Sequence, residues 1–392
     1  MSDPAVEVRA EDSFDIDAMA AWLRANADDT TGLDGTPQVK QFPGGASNLT
    51  YLLAYPGRDL ILRRPPAGVK AKGAHDMLRE FTIQSKLAPV LPYVADMVAF
   101  CDDQDVIGSD FYVMQRLDGT ILRQDLPDGM TLSPDDARTL CTNFLDVLVE
   151  LHSVDPKATG LDGLGKGAGY VARQVGGWSH RYRRARTDNV GDYERVMSWL
   201  DSHQPDDVAT CMIHNDFRLD NVVLGPDDPL QIIGVLDWEM ATLGDPLMDL
   251  CGAMAYWIQE DDDDEYFAIR RQPSHLRGML SRQEMVDYYT SRMGLAVTPE
   301  QWRFYEVFGL FRLGVIAQQI YYRYHEGQTT NEAYAAFLQV ATYVEKRCNR
   351  IIDEAPCPSC CSFGTVRRPG VPTTTTCSPT SATSSPGCSA EP

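Results

Sequence analysis

Short apolar runs with turn residues between them dominate the first 120 positions of the chain. Runs at 38–43, 48–55 and 59–64 read as strands, with Gly44-Gly45 linking the first pair and Pro56-Gly57 turning the second. Residues 96–101 and 110–117 read as two more strands. Two amphipathic helices accompany them: 14–27, with Phe14, Met19, Trp22 and Leu23 on its apolar side, and 74–88. After Gly119 the spacing becomes helical. Ser133-Pro134 is a cap followed by proline at the first helical position, and Leu140, Phe144, Leu148 and Leu151 then share one face of a helix over 133–153. Helices are predicted again at 170–186, 190–203, 246–259, 281–293, 299–325 and 330–353. One segment interrupts them, where strands at 222–224 and 231–236 flank the turn Pro226-Asp227-Asp228-Pro229. A small strand-rich part followed by a helical part with one embedded hairpin predicts a two-lobed α+β enzyme. The boundary is expected near 117–120, giving lobes over 1–117 and 118–355.

From Pro356 the composition shifts to Pro, Ser, Thr, Cys and Gly. Too little apolar surface is available there to offset the entropy of ordering, so 356–392 is expected to be a disordered tail without function. Five of the ten cysteines lie in it. Their spacing lacks the paired clusters of a structural zinc site. The other five, Cys101, Cys141, Cys211, Cys251 and Cys348, stand singly in apolar surroundings and read as reduced core residues.

Charge narrows the partners. With 35 basic and 56 acidic residues the formal net charge is −21, which argues against nucleic acid or an anionic membrane surface as a ligand. Arg181, Arg183, Arg184 and Arg186 cluster on a predicted helix and are expected to form a solvated face. The acidic run Glu260–Glu265 is expected to be a solvated loop. No apolar stretch approaches the ~20 residues of a membrane span. The N-terminus lacks the basic start and apolar core of a signal peptide, so a cytoplasmic location is expected.

The chemistry concentrates in Ile213-His214-Asn215-Asp216-Phe217-Arg218-Leu219-Asp220-Asn221, followed sixteen residues after Asn221 by Asp237. Phosphoryl transfer needs an acceptor hydroxyl held in line and cations that neutralise phosphate charge. An Asp followed five residues later by an Asn, on a loop after a strand, suits both needs: the carboxylate faces the acceptor and the amide oxygen turns toward a metal. A second carboxylate at the end of the next hairpin strand returns to the same place. Magnesium prefers oxygen ligands and keeps several waters, so two such side chains plus phosphate oxygens suffice.

The His-x-Asp-x-x-x-x-Asn pattern with a following strand-end Asp resembles the aminoglycoside phosphotransferase and choline kinase group, relatives of the protein kinases. The longer run through Gly244-Asp245-Pro246-Leu247-Met248-Asp249-Leu250 looks most like the branch found fused to acyl-CoA dehydrogenases or standing alone in bacteria. The resemblance covers residues 15–350. It implies a kinase-like fold, ATP and Mg²⁺ as cofactors, and a small-molecule hydroxyl as acceptor. Asp216 would be the catalytic carboxylate, Arg218 the basic residue directed at the transferred phosphate, and Asn221 and Asp237 the Mg²⁺ ligands; His214 would be structural. In the first lobe, Gly45, Ser47 and Asn48 would bring backbone amides to phosphates. The family carries a lysine on the strand Leu60-Ile61-Leu62-Arg63-Arg64; this chain offers Arg63, with Arg64 as competitor, because alternation sends only one of them into the cleft. Glu80 would pair with that arginine, and the backbone at Gln115 and Leu117 would meet adenine. Asp245 reads as a helix cap and Asp249 as a brace for the catalytic loop. A nucleotide-binding pseudokinase is the alternative. A protein kinase fits less well, since no Gly-x-Gly-x-x-Gly loop or Ala-Pro-Glu element is present. Possible acceptors span aminoglycosides, choline-like alcohols, sugars, and hydroxy acids or their CoA thioesters, with a hydroxyacyl compound as first guess. Oligomeric state cannot be read from the sequence.

Overall fold

A computed structural model describes residues 5–43, 48–66 and 76–354. The glycine turn containing Gly45 and Ser47, and the 356–392 tail, lie outside the described residues. Five antiparallel strands make the first sheet: β1 (Gln38–Gln41), β2 (Leu49–Ala54), β3 (Asp59–Arg64), β4 (Met97–Cys101) and β5 (Phe111–Gln115), in the order β1-β2-β3-β5-β4. Each face of the sheet is covered by one helix. Leu49, Tyr51 and Leu53 alternate onto the face packed by Met19 and Leu23 of α1 (Ile16–Asn26). Ile61, Tyr112 and Met114 point the other way, toward Met77 and Phe81 of α2 (Met77–Leu87). A single turn of helix, α3 (Gln104–Ile107), joins β4 to β5.

The second lobe is helical. Its helices are α4 (Pro134–His152), α5 (Tyr170–Ala185), α6 (Glu194–His203), α7 (Pro246–Met254), α8 (Asp264–Phe267), α9 (Arg282–Met293), α10 (Pro299–His325) and α11 (Phe337–Asp353). Ser133 closes a full capping box at the start of α4, as its sequence suggests. α10 is buried on most of its circumference between Phe304 and Tyr321 and forms the axis of the lobe. Two pairs of short strands interrupt the helices: β6 (Cys211–Ile213) with β9 (Thr242–Gly244), and β7 (Val222–Leu224) with β8 (Ile232–Val235). Only the second pair is evident in the sequence. The helix expected over 330–353 begins as a 3₁₀ turn at Glu332–Ala336, and the one expected to reach 259 ends at Met254.

The arginine cluster is exposed, as expected, whereas one member of the acidic run departs from its expected solvated loop. Within the acidic run, Asp262 is buried and takes Arg282 at 2.6 Å and Arg347 at 3.0 Å, while Asp263 caps α8. Within the arginine cluster, Arg183 pairs with Glu194 on α6 at 2.7 Å, and Arg181 turns onto the ring of Trp178. The five cysteines of the body are buried and free. Among the described residues no helix is long and apolar enough to cross a membrane.

The lobes meet through specific contacts. Thr120 and Leu224 exchange backbone hydrogen bonds at 2.9 and 2.8 Å, pinning the connection from β5 onto the β7–β8 hairpin. Gly119 allows that approach, since a Cβ there would lie 2.2 Å from the Leu224 carbonyl oxygen. Arg79 of α2 donates to the carbonyls of Glu239 and Ala241 across the cleft.

Phe144 of α4 stacks on Phe217 with ring centroids 4.4 Å apart and lies 5.9 Å from Trp257, so the helical core reaches directly under the 214–221 loop. Phe144→Ala should cost about 3–5 kcal/mol in urea denaturation through the cavity it leaves. Combined with Phe217→Ala the loss should be less than the sum of the two single losses; full additivity would show that the two rings do not support one another.

Candidate active site

The loop after β6 is shaped from beneath by one buried carboxylate. Asp249 of α7 accepts the backbone N–H of His214 on Oδ2 and that of Asn215 on Oδ1, each at 2.7 Å, and takes Nε2–H of His152 at 3.1 Å. Asn215 stands at φ 65°, a left-handed conformation that asparagine tolerates better than most side chains. Its side chain is fixed on both ends, by the Tyr170 hydroxyl at 3.1 Å and by the Met240 carbonyl at 3.1 Å. Arg312 of α10 donates to its backbone carbonyl. His214 is fully buried. Its Nε2–H donates to the Leu236 carbonyl at 3.0 Å, Nδ1 accepts from the Asp216 amide at 3.3 Å, and burial holds its pKa below the ordinary histidine value. The ring is a neutral strut between the loop and the end of β8.

Three side chains converge above this platform. Asn221 donates from Nδ2 to both the backbone carbonyl and the Oδ2 of Asp216, each at 2.9 Å. Both partners are acceptors, so the amide nitrogen must face them and Oδ1 must face away. The Leu236 amide donates to the Asn221 carbonyl at 2.8 Å, which brings the β8 end, and with it Asp237, alongside Asn221. Asp237 sits at φ 67° and lines the interlobe cleft together with Asn221. Arg218 contacts Asp216 through Nε at 3.1 Å and Nη2 at 3.3 Å, approaches Asp220 at 3.4 Å, and rests on the Tyr256 ring at 4.6 Å. Burial works against its charge, but Asp216 and Asp220 outweigh that and hold the guanidinium above its ordinary pKa.

From the first lobe Arg63 reaches down to Asp237 at 3.1 Å and lies 3.5 Å from Glu80. Arg64, one step along β3, points to the opposite face, where it donates to Tyr51 and to the Asp12 carbonyl and lies near the Phe14 ring. Strand alternation therefore separates the two candidates, with Arg63 in the cleft. Glu80 is buried and also takes Asn48 Nδ2 at 2.8 Å and the Tyr112 hydroxyl at 3.0 Å. Asn48 reaches Glu239 as well, at 3.3 Å. The cleft encloses about 330 Å³ between Ile61 and Met114 on the sheet side and Val223 and Leu236 on the hairpin side. Gln115 and Leu117 lie on its rim; the Gln115 amide already donates to the Asp96 carbonyl at 2.8 Å.

The chain and its fold have counterparts among known proteins. The profile of the phosphotransferase enzyme family matches residues 38–284. The chain belongs to that family. Mouse acyl-CoA dehydrogenase family member 10 is 35% identical over 302 residues, covering 76% of this chain and 27% of that protein. The chain spans less than half the length of that relative. Among solved structures, a candidate aminoglycoside phosphotransferase from Ralstonia eutropha superposes with a TM-score of 0.73 at 30% identity, over 86% of this chain and 98% of that one. Choline kinase from Cryptosporidium parvum shares the fold, with a TM-score of 0.57 at 11% identity over 86% and 95% of the two chains. The two-lobed α+β fold of this phosphotransferase family member is thus kinase-like.

Several residues that shape the site carry no motif. Arg79 and Glu239 tie the lobes together, and Tyr112 supports Glu80. Arg312 is signalled only weakly, as a lone cation inside the apolar stretch Val307–Ile316.

Asp249→Asn would turn an amide N–H₂ toward backbone donors and should cost about 3 kcal/mol, the scale of a buried hydrogen-bonded charge stripped of its match. Burial alone would raise the Asp249 pKa, but the His152 hydrogen bond and the nearby histidines hold it below the ordinary carboxylate value. Its contribution should therefore be present above about pH 4 and fade as pH falls further. Denaturation at pH 7 and pH 3 should show the gap between wild type and variant narrowing; an equal gap at both would mean that the charge is not what matters.

Proposed function

We propose that the protein transfers the γ-phosphoryl group of ATP to a hydroxyl of a small molecule, with Mg²⁺ held by Asn221 and Asp237. The observation that carries this reading is that Asn221, hydrogen-bonded to Asp216, lines one cleft together with Asp237 and Arg63. The fit to magnesium rests on donor chemistry: the Asn221 amide is oriented so that only its oxygen is left for a ligand, and Asp237 is a hard oxygen donor beside it. No cluster of three or more His, Cys, Asp or Glu occurs among the described residues, which suits an ion that takes its remaining ligands from phosphates and water. When bound, Mg²⁺ would neutralise phosphate charge as it is transferred.

The chain's own groups do the rest. Asp216 is held by Arg218 and Asn221 in a fixed orientation, suited to accept the acceptor's hydroxyl proton. Arg218, bound to that carboxylate, places permanent positive charge where the transferred group would pass. Arg63, set by Glu80 and Asp237, supplies the charge for the α- and β-phosphates in place of the usual lysine. Ile61, Met114, Val223 and Leu236 offer a flat apolar slot for adenine, with backbone groups at Gln115 and Leu117 on its rim. The glycine turn at 44–48 would cover the phosphates.

Beside Arg218 a second hollow of about 320 Å³ favours one class of acceptor. Leu313, Ile316, Ile320, Phe337 and Val340 form an apolar wall, Arg270 and Arg271 stand on the rim, and no acidic residue lines it. A polycationic aminoglycoside would find no counter-charge there. A hydroxyacyl compound, with an aliphatic chain for the wall and an anionic part for the arginines, suits it better, in keeping with the dehydrogenase names of the relatives.

ADP release measured with ATP, Mg²⁺ and a panel of hydroxy acids and their thioesters should reveal acceptor-dependent turnover. Asp216→Ala should lower it by about 10²–10⁴-fold, the usual size of a lost general base, while nucleotide binding persists. ATP binding with no turnover on any acceptor would favour the pseudokinase alternative; phosphorylation of kanamycin in preference to hydroxy acids would refute the acceptor assignment.

A further inference from the structure

Behind the catalytic loop lies a third hollow, which shares no lining residue with either of the two above. It encloses about 170 Å³, room for about five waters at roughly 30 Å³ each, and so suits a small polar group rather than a nucleotide. Tyr170, Gln174, Trp178 and Arg181 approach it from one stripe of α5, and Phe308 and Arg312 from one stripe of α10. Asn215 of the catalytic loop closes one side.

Its charge is unusual for this chain. Two guanidiniums share the Trp178 ring, Arg181 at 4.4 Å and Arg312 at 5.4 Å from the ring centre. No acidic residue lines the hollow, although the protein carries a net charge of −21. Arg312 is only 9% exposed and has no carboxylate partner among the described residues; its one hydrogen bond goes to the Asn215 carbonyl. A Cβ at position 252 would come within 2.7 Å of Arg312 Nη1, so Gly252 leaves the guanidinium its space. Arg181 makes no hydrogen bond or ion pair at all among those residues, and its ordinary pKa is lowered, by partial burial first and by the Arg312 charge second. Gln174 accepts Trp178 Nε1–H on its amide oxygen at 3.1 Å, which leaves its N–H₂ to donate. Holding the Asn215 carbonyl needs one N–H and one cation at most. Arg181 is exposed and rests on the Trp178 ring, but among the described residues its charge meets no opposite charge, and the free Gln174 N–H₂ has no acceptor. Burying one unpaired charge and placing a like charge beside it is costly unless an opposite charge arrives.

We propose that this hollow is an anion site, in which Arg181 and Arg312 grip a carboxylate or phosphoryl group with Gln174 as a third donor. Arg312 holds the carbonyl of the residue before Asp216, so the occupant is coupled to the catalytic loop. The anion is either free in solution or borne by the acceptor.

Thermal unfolding in inorganic phosphate, against sodium chloride of equal ionic strength, tests this without requiring any catalytic activity. Phosphate is expected to raise the melting temperature of the wild type and of Arg63→Met, and to lose at least tenfold in apparent affinity in Arg181→Gln and in Arg312→Lys. Arg181 has no partner to lose, so the first of these variants should fold; the second keeps a donor for Asn215. A phosphate effect that survives Arg181→Gln but disappears in Arg63→Met would place the ion in the interlobe cleft and overturn the proposal. So would a wild type that responds to phosphate no more than to chloride. The two sources separate by ligand: a free anion gives its full effect as inorganic phosphate, whereas an acceptor-borne group makes a hydroxy acid stabilise more than the matching alcohol, a difference that Arg181→Gln removes.

Discussion

The Asp249 carboxylate is the constraint on which the active-site geometry rests. Two successive backbone N–H groups, at His214 and Asn215, converge on one buried side chain, a geometry that a loop adopts only when its dihedrals are dictated from outside. The left-handed Asn215 follows from it, and so does the direction of Asp216. An ionised carboxylate without such donors would be costly in this interior. With three donors it becomes the reason the loop has one conformation. His214 carries the same constraint onward, linking the Asp216 amide to the Leu236 carbonyl and so setting the distance between the loop and the chain that leads from β8 into Asp237.

A second level of order is electrostatic. The chain is strongly acidic, yet the clefts around the catalytic loop are lined by arginine. Arg63, Arg218, Arg270 and Arg312 are each drawn partly out of water and are held by three devices: acid pairs for Arg63 and Arg218, an acid and a ring for Arg270, a carbonyl and a ring for Arg312. Arginine suits this use because its guanidinium is weakly hydrated and stays charged on burial. Concentrating positive potential in hollows while the outer surface remains negative would draw anionic ligands inward and discourage polyanions too large to enter.

How much of this was legible in the sequence follows from the range of each signal. Long helices such as 133–153, with its cap and apolar face, and 299–325 announce themselves in the sequence, and the structure places them within a residue or two. The spacing of Asp216, Asn221 and Asp237 identified the loop because the chemistry demands those side chains in that order, and the structure brings them together. Arg63 and Arg64 could not be separated from the motif alone, but the two-residue period of a strand decides between them once Leu60 and Leu62 are known to face α1. The three-residue strands β6 and β9 are too short to carry a period. Asp262 was misread for a different reason: it sits in a run of like charges, and composition cannot tell which member of a run turns inward. Only partners distant in sequence decide that, here Arg282 and Arg347.

The same reasoning bears on what the fold leaves variable. His152 of α4 and Asp249 of α7, which fix the catalytic loop from beneath, line none of the three hollows; Tyr170 and Arg312, which hold Asn215, do line one. The surfaces that would meet an acceptor are built instead from side chains of α5, α10, α11 and the 268–271 segment, where the pattern requires only that apolar positions stay apolar. Exchanging the exposed Arg181 or Arg271 for acid would leave the Asp249 platform untouched while reversing the charge offered to a ligand. On the proposed function, phosphoryl transfer and acceptor choice therefore rest on largely different residues of one lobe, and a motif that reads the first is silent about the second for a structural reason.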